Sequence, residues 1–263
     1  VKKVMIRGIT GRMGQEAART VLDMEGYQLV AGLSRRKREE TLAELLKEPG
    51  APELEIGIEL EKEIELKEPE IMIDFTGPRG LLPALELALQ QGLDLLVGSS
   101  GLTAEEETRL KELSQKCGRN VFLIPNFALG AVLLMKFARE ASRYFPRAEI
   151  IESHSEEKAD APSGTALATA KGMEGARPHP GEEEISFSLP GVRGGSKGGV
   201  NIHSLRLPGI VARQEVVFGG EGQTLTLTHN SLSRKSFMPG VRLALEKIRE
   251  KRGFVSGLEE LLE

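Results

Sequence analysis

The chain has 263 residues, more than the roughly 100–200 of one ordinary domain, so one large or two modest domains with a substantial core are expected. Its 35 Lys and Arg against 39 Asp and Glu give a formal charge of −4, which removes any global electrostatic attraction to nucleic acid or an anionic membrane. Thirty glycines beside no Trp make bare backbone the unusual feature, and the single Cys117 excludes an intramolecular disulfide or a multi-cysteine metal site.

The strand-like VKKVMIR at the start is expected to leave no room for a signal peptide, and no apolar run nears the roughly 18 residues that span a bilayer. A soluble, cytoplasmic protein is expected. Strand Lys3–Arg7, helix Gln15–Met24 and strand Gln28–Leu33 open a βαβ pattern. Glu53–Pro69, with Ile and Leu among Glu and Lys, reads as a short edge strand with solvated charges. Strand Ile71–Phe75, helix Leu81–Gln91, strand Leu93–Val97, helix Ala104–Lys116 and strand Val121–Ile124 continue the pattern. Runs such as IMIDF and LDLLV suit strands buried on both faces, so the fold class is α/β with a Rossmann-like doubly wound parallel sheet.

After Pro125 the pattern changes. Ala131–Tyr144 reads as a long helix, Ala148–Ser153 as a strand and Thr165–Gly172 as a helix. Ile185–Leu189, Gly199–Leu207, Gln214–Phe218 and Gln223–Asn230 are strand-like runs between turn residues, so an α+β second domain with an antiparallel or mixed sheet is expected. Val241–Lys251 is helical, and Gly253–Leu262 is a short amphipathic piece.

A strand, then Gly8-Ile9-Thr10-Gly11-Arg12-Met13-Gly14, then a helix is the arrangement that receives a dinucleotide pyrophosphate. Glycine lets the backbone approach the phosphates, and the helix start offers N–H groups. The spacing is G-x-x-G-x-x-G, and about 20 residues on, where NAD-selective folds place an acid, stands Ser34. Arg35, Arg36, Lys37 and Arg38 follow, a cluster that fits a 2′-phosphate, so NADPH is the preferred cofactor and NADH remains open. The alternative is a solvated start to the next helix. Phe75-Thr76, Gly98-Ser99-Ser100-Gly101 and Pro125-Asn126-Phe127 end successive strands, where ligands of open α/β sheets bind. Arg7, charged at the end of a buried strand, should reach the crevice or an acidic partner.

The stretch Ile151–Thr165 places His154 and Lys158 four apart, an imidazole able to transfer a proton beside an ammonium. Ser163-Gly164-Thr165 then opens a helix that could take a carboxylate on its N–H groups. From these residues alone, a surface histidine and a solvated lysine remain the commoner explanation. His179, His203 and His229 share no metal-ligand spacing with acidic residues, so no metal is expected, and Cys117 reads as structural.

GITGRMG, DFTGP, GSSGL, NFALGAVLLMKFA, HSEEKADAPSGTA and HSLRLPGIVARQEVVFGGEGQTLTLTHNSLSRKSFMPGV, in that order, resemble the dihydrodipicolinate reductase family from Lys3 to Leu262. The resemblance implies an NAD(P)H-dependent reductase of 4-hydroxy-tetrahydrodipicolinate in the diaminopimelate and lysine pathway, usually a homotetramer. It also implies a dinucleotide-binding domain at 1–125 and 235–263 and a substrate-binding and oligomerisation domain at 126–234. By motif, His154 and Lys158 match the family's proton-donating pair and Gly164 and Thr165 its contacts to a substrate carboxylate, with Ser155 and Ser163 beside them as further candidate contacts to the dicarboxylate. Gly8, Thr10, Gly11, Arg12, Met13, Arg35, Gly98, Ser99, Ser100, Pro125, Asn126 and Phe127 match its cofactor contacts, and Ser34, Phe75 and Thr76, at the ends of their strands, are further candidate contacts.

Three positions depart from the family pattern. Ser155 stands where relatives commonly carry a second histidine, Ser34 where some carry an acid, and Gly77 where some carry arginine. Two other classes of protein share parts of this pattern. A short-chain dehydrogenase needs Tyr-x-x-x-Lys, but Tyr27 and Tyr144 are followed four residues later by Ala31 and Ala148. A catalytically inactive NADP-sensing protein of the same fold would not need His154 and Lys158.

Overall fold

Two separate sheets organise the protein, whose computed structural model describes residues 1–173, 188–248 and 250–262. One compact unit comprises Val1–Phe127 with Phe237–Glu263, and the other Ala128–Ser236.

The first unit holds strands β1 (Lys2–Arg7), β2 (Tyr27–Leu33), β3 (Ile71–Asp74), β4 (Asp94–Val97), β5 (Val121–Leu123) and β11 (Phe254–Ser256). They pair in parallel in the order β11-β5-β4-β3-β1-β2. Every residue of β3 and β4 is buried, as continuous apolar runs in a two-sided sheet require. Helices α1 (Arg12–Leu22), α4 (Leu81–Gln90) and α5 (Ala104–Cys117) cross between strands. Met5, Met72, Leu85, Leu89, Leu95 and Leu110 share one core cluster. After β2 the chain returns to the other side of β1 to make β3, so the carboxyl ends of β1 and β3 flank the topological switch point where such sheets bind ligands.

Two short helices lie between β2 and β3: α2 (Leu42–Leu46), closed by a Thr41–Glu44 capping box, and α3 (Leu60–Lys67). The second overturns the edge strand expected at Glu53–Pro69. Leu60 and Ile64 lie four apart and pack on the core, Glu61 and Glu63 sit in the first turn, and Lys67 sits in the last, all favourable to a helix and its dipole. Extended pairing there is limited to isolated bridges at Glu55 and Gly57. Past residue 236 the chain adds α8 (Met238–Lys247), β11 and a 3-10 turn at Leu258–Leu261. The backbone carbonyl of Leu245 in α8 accepts the Tyr27 hydroxyl at 2.7 Å.

The second unit is a five-stranded mixed sheet in the order β10-β9-β6-β8-β7. Its strands are β6 (Arg147–His154), β7 (Gly195–Lys197), β8 (Val200–Arg206), β9 (Ala212–Gly220) and β10 (Gln223–Ser231). Only β6 and β8 run parallel; the other pairings are antiparallel. Helices α6 (Leu129–Ala141) and α7 (Gly164–Gly172) cover one face, burying Leu134, Ala138, Ala166 and Ala170 against Ile150, Val200, Val216 and Phe218. The architecture is the expected parallel α/β sheet with a mixed-sheet α+β unit. Most of the strand expected at Ile185–Leu189, and His179, lie outside the described residues. Among the described residues no helix is long and apolar enough to cross a membrane, and no group of three His, Cys, Asp or Glu could hold a metal.

Candidate active site

In the first unit β1 is followed by Gly8, whose φ of +89° suits glycine and whose Cβ, were there one, would stand 2.7 Å from the Phe75 carbonyl oxygen. A Cβ at Gly14 would overlap the Gly8 backbone. Gly11 caps α1 without any side-chain hydrogen bond, so the helix start is left open to an anion. Gly8, Thr10, Gly11, Ser34, Arg35, Phe75 and Thr76 line one cavity of about 430 Å³ together with Arg36 and Arg38. The glycine loop and the basic run therefore face the same space. Arg35 Nη2 donates to the Thr76 carbonyl at 2.6 Å, and the buried Ser34 hydroxyl donates to the Arg36 carbonyl. A neighbouring cavity of about 330 Å³ adds an apolar wall of Ile58, Leu60, Pro83, Ala84 and Leu87, able to accept a flat, weakly polar group.

Beside these cavities, a wholly buried Asp74 ties three strand ends together. Its carboxylate accepts Arg7 Nη1 at 2.5 Å, the Thr76 backbone N–H at 3.0 Å, the Thr76 hydroxyl at 2.9 Å and the Ser99 hydroxyl at 2.5 Å. Arg7 thus finds the acidic partner its position demanded, and also donates to the Gly80 carbonyl at 3.2 Å. Ser99 Oγ accepts the Gly77 N–H at 2.9 Å. Phe75 and Phe127 meet edge to face with centroids 5.7 Å apart, and a Cβ at Gly98 would overlap the Phe75 ring. Arg12 and Met13 open the first turn of α1; Ser100 and Pro125 are exposed, and Asn126 is half-buried. Arg12, Met13, Gly98, Ser99, Ser100 and Pro125 to Phe127 line neither of the two cavities.

In the second unit β6 ends at His154, whose Nδ1 lies 2.5 Å from Glu152 Oε2. Glu152 is wholly buried and accepts Arg206 Nη2 on Oε1 at 2.9 Å and Nη1 on Oε2 at 3.1 Å. Burial alone would raise its pKa, but hydrogen bonds from Arg206, Ser204 and His154 hold it below the ordinary carboxylate value. An ionised carboxylate can only accept, so Nδ1 carries the hydrogen and Nε2 is left for other work. The chain then turns: Lys158 N–H donates to the Ser155 carbonyl at 3.0 Å, and Lys158 Nζ donates to both Asp160 oxygens at 2.7 and 2.9 Å. That ammonium keeps the exposed Asp160 carboxyl below its usual value. Ser163 caps α7, its hydroxyl accepting the Ala166 N–H at 3.2 Å; Gly164 and Thr165 form the first turn. A Cβ at Gly164 would meet nothing within 4 Å, so open space lies over that helix start.

Asp74, Glu152 and Arg206 escaped the sequence reading. Alternation along β6 could have found Glu152, since residues two apart share a face. Arg206 and Asp74 required cross-strand register: His154 stands opposite Arg206 on β8, and Arg7 opposite Asp74 on β3.

The family model for the dihydrodipicolinate reductase N-terminus matches residues 2–127, and that for the dihydrodipicolinate reductase C-terminus matches residues 130–262. The chain belongs to the dihydrodipicolinate reductase family. A 4-hydroxy-tetrahydrodipicolinate reductase of Moorella thermoacetica is 45% identical over 270 residues, covering 99% of this chain and 98% of the relative. One from Desulfitobacterium hafniense is 43% identical over 271 residues, with the same coverage. A solved dipicolinate-bound dihydrodipicolinate reductase from Paenisporosarcina sp. TG-14 matches all of both chains at 40% identity with a TM-score of 0.87. Membership in this reductase family makes the chain an NAD(P)H-dependent oxidoreductase. The residues fit such a cofactor: two glycines that tolerate no side chain, an open helix start and a basic run share one cavity.

Proposed function

We propose that this chain reduces 4-hydroxy-tetrahydrodipicolinate to tetrahydrodipicolinate in diaminopimelate and lysine biosynthesis, with His154 as proton donor. The observation that carries the reading is the His154 imidazole, held through Nδ1 by a buried carboxylate and followed at once by Lys158 and the open start of α7. When bound, the reduced nicotinamide supplies the hydride, and the protein supplies position and charge. His154 gives its Nε2 proton to the reduced substrate. Lys158 offsets a substrate carboxylate or relays the proton, while Ser155, Ser163, Gly164 and Thr165 receive a carboxylate at the helix start.

Cofactor contacts fall to the glycine loop from Gly8 to Met13, to Ser34 and Arg35, and to Phe75, Thr76, Gly98 to Ser100 and Pro125 to Phe127. NADPH is the preferred cofactor, because Arg35, Arg36 and Arg38 border the cavity and β2 is followed by Ser34 where an acid would repel a 2′-phosphate. The homotetramer and a cytoplasmic location follow from the family resemblance; sedimentation of the purified chain tests the first. An inactive nucleotide sensor is not favoured, since nothing in that role calls for an oriented His154. The decisive experiment follows NADPH absorbance with freshly generated substrate for the wild type and for His154→Ala. Wild-type turnover with a deep loss in the variant supports the reading; equal turnover in both, or none in the wild type, refutes it.

A further inference from the structure

Glu152 is a wholly buried carboxylate, and the chemistry above uses it only as the hydrogen-bond partner of His154. Its lone pairs nevertheless converge on the residues that do the work. Oε2 meets His154 Nδ1 at 2.5 Å, Arg206 spans both oxygens, and Oε1 lies 3.3 Å from the backbone N–H of Ser163, the cap of α7. Across the sheet, Gln214 of β9 stands opposite Glu152 but donates to Thr169 Oγ1 at 2.7 Å. Arg206 Nη2 also donates to the Asp160 carbonyl at 2.6 Å, and the Asp160 carboxylate holds Lys158. One buried anion with its arginine therefore touches the imidazole, the helix cap and the loop that carries the lysine.

We propose that Glu152 is the positioning residue of this site: it fixes the hydrogen of His154 on Nδ1, so that the proton given to the substrate leaves Nε2, and it locks the α7 cap to that imidazole. The inference rests on His154 being the proton donor. In the transfer the Nε2–H bond breaks, its electron pair stays on the ring, and the proton goes to the basic position of the substrate. The imidazole is left neutral with its Nδ1–H still donated to Glu152. Glu152 remains a carboxylate throughout, because the Arg206 guanidinium keeps a positive charge against it. A proton source from solvent then restores the imidazolium.

The test compares Glu152→Gln, His154→Ala and the double variant in steady-state turnover of freshly generated 4-hydroxy-tetrahydrodipicolinate with NADPH. For Glu152→Gln we expect kcat to fall on the order of 10²-fold, within the range a positioned acid contributes. The KM values for both substrates should stay within about threefold, because the loss lies in the transition state. The double variant should be no slower than His154→Ala alone, since a residue that acts through His154 has nothing left to act on. Nitrogen-15 spectra of labelled imidazole should show the Nδ1–H form of His154 in the wild type and its loss in Glu152→Gln. Wild-type turnover in Glu152→Gln, or losses that multiply in the double variant, overturns the role. Undiminished turnover in His154→Ala instead overturns the donor itself, and this role with it. Should Glu152→Gln not fold, the paired change Glu152→Gln with Arg206→Met leaves neither charge unpartnered and must show the same kcat loss; wild-type turnover there overturns the proposal.

Discussion

Asp74 and Glu152 invite comparison: each is a fully buried carboxylate near the end of a strand, and each is paired with an arginine from the neighbouring strand. Asp74 spends its remaining capacity on Thr76 and Ser99, groups that do not titrate near neutral pH. Glu152 spends it on an imidazole and a helix cap. The first network ties together the ends of β1, β3 and β4 beside a cavity, and the second reaches the imidazole of His154. An arginine lets a carboxylate stay ionised in the interior; the third partner decides whether that ion is scaffold or machinery.

The sharpest way to break this contrast is at the proton-bearing end. His154→Ala and Lys158→Ala should each lose about 10²–10⁴-fold in turnover while retaining NADPH binding, measured by fluorescence titration. On the scaffold side, Arg7→Met strands the Asp74 carboxylate, and because the pair is only 16% and 0% exposed the charge cannot be rescued by solvent. Removing one partner of a buried pair costs about 3–5 kcal/mol, so urea unfolding should shift by that amount. A large turnover defect without that shift would make Asp74 machinery too.

Next in size, Arg35→Ala should weaken NADPH by about 10–100-fold, a loss of roughly 1.5–3 kcal/mol, and leave NADH affinity unchanged. Equal loss for both cofactors would assign Arg35 to the Thr76 carbonyl and the loop it holds rather than to a phosphate. The smallest effect is on pH dependence. Glu152 has a folded pKa below its unfolded value near 4.5, so it contributes stability above that pH that is lost as pH falls through the lower folded value. Acid unfolding of Glu152→Gln should therefore have a shallower slope below pH 4.5 than the wild type.

Sequence revealed what depends on local pattern. The buried runs IMID and DLLV, the glycine loop before α1 and the change of grammar after Pro125 all survive in the fold. It misread Glu53–Pro69 because Ile and Leu scattered among Glu and Lys satisfy either period, and only packing of Ile64 on the core chose the helix. The three residues of β11 were too short to register as a strand without their partner β5. At the sites, residues with distinctive chemistry were legible, but the ions that hold them were not. Asp74 and Arg206 lie inside the strand-like runs Ile71–Phe75 and Gly199–Leu207 with nothing local to single them out, since their meaning lies in which residue stands opposite across the sheet.

The position of β11 also orders the making of the protein. The first unit is interrupted after Phe127 and resumes only at Phe237, so the mixed-sheet unit is an insertion within it. Domains tend to fold as they leave the ribosome, yet this nucleotide sheet has an open edge at β5 until residues beyond 236 have been synthesised and β11 can close it. The second unit is continuous in sequence and can complete its sheet first. A ribosome paused before α8 would hold a finished mixed-sheet unit attached to a parallel-sheet unit whose edge is still bare.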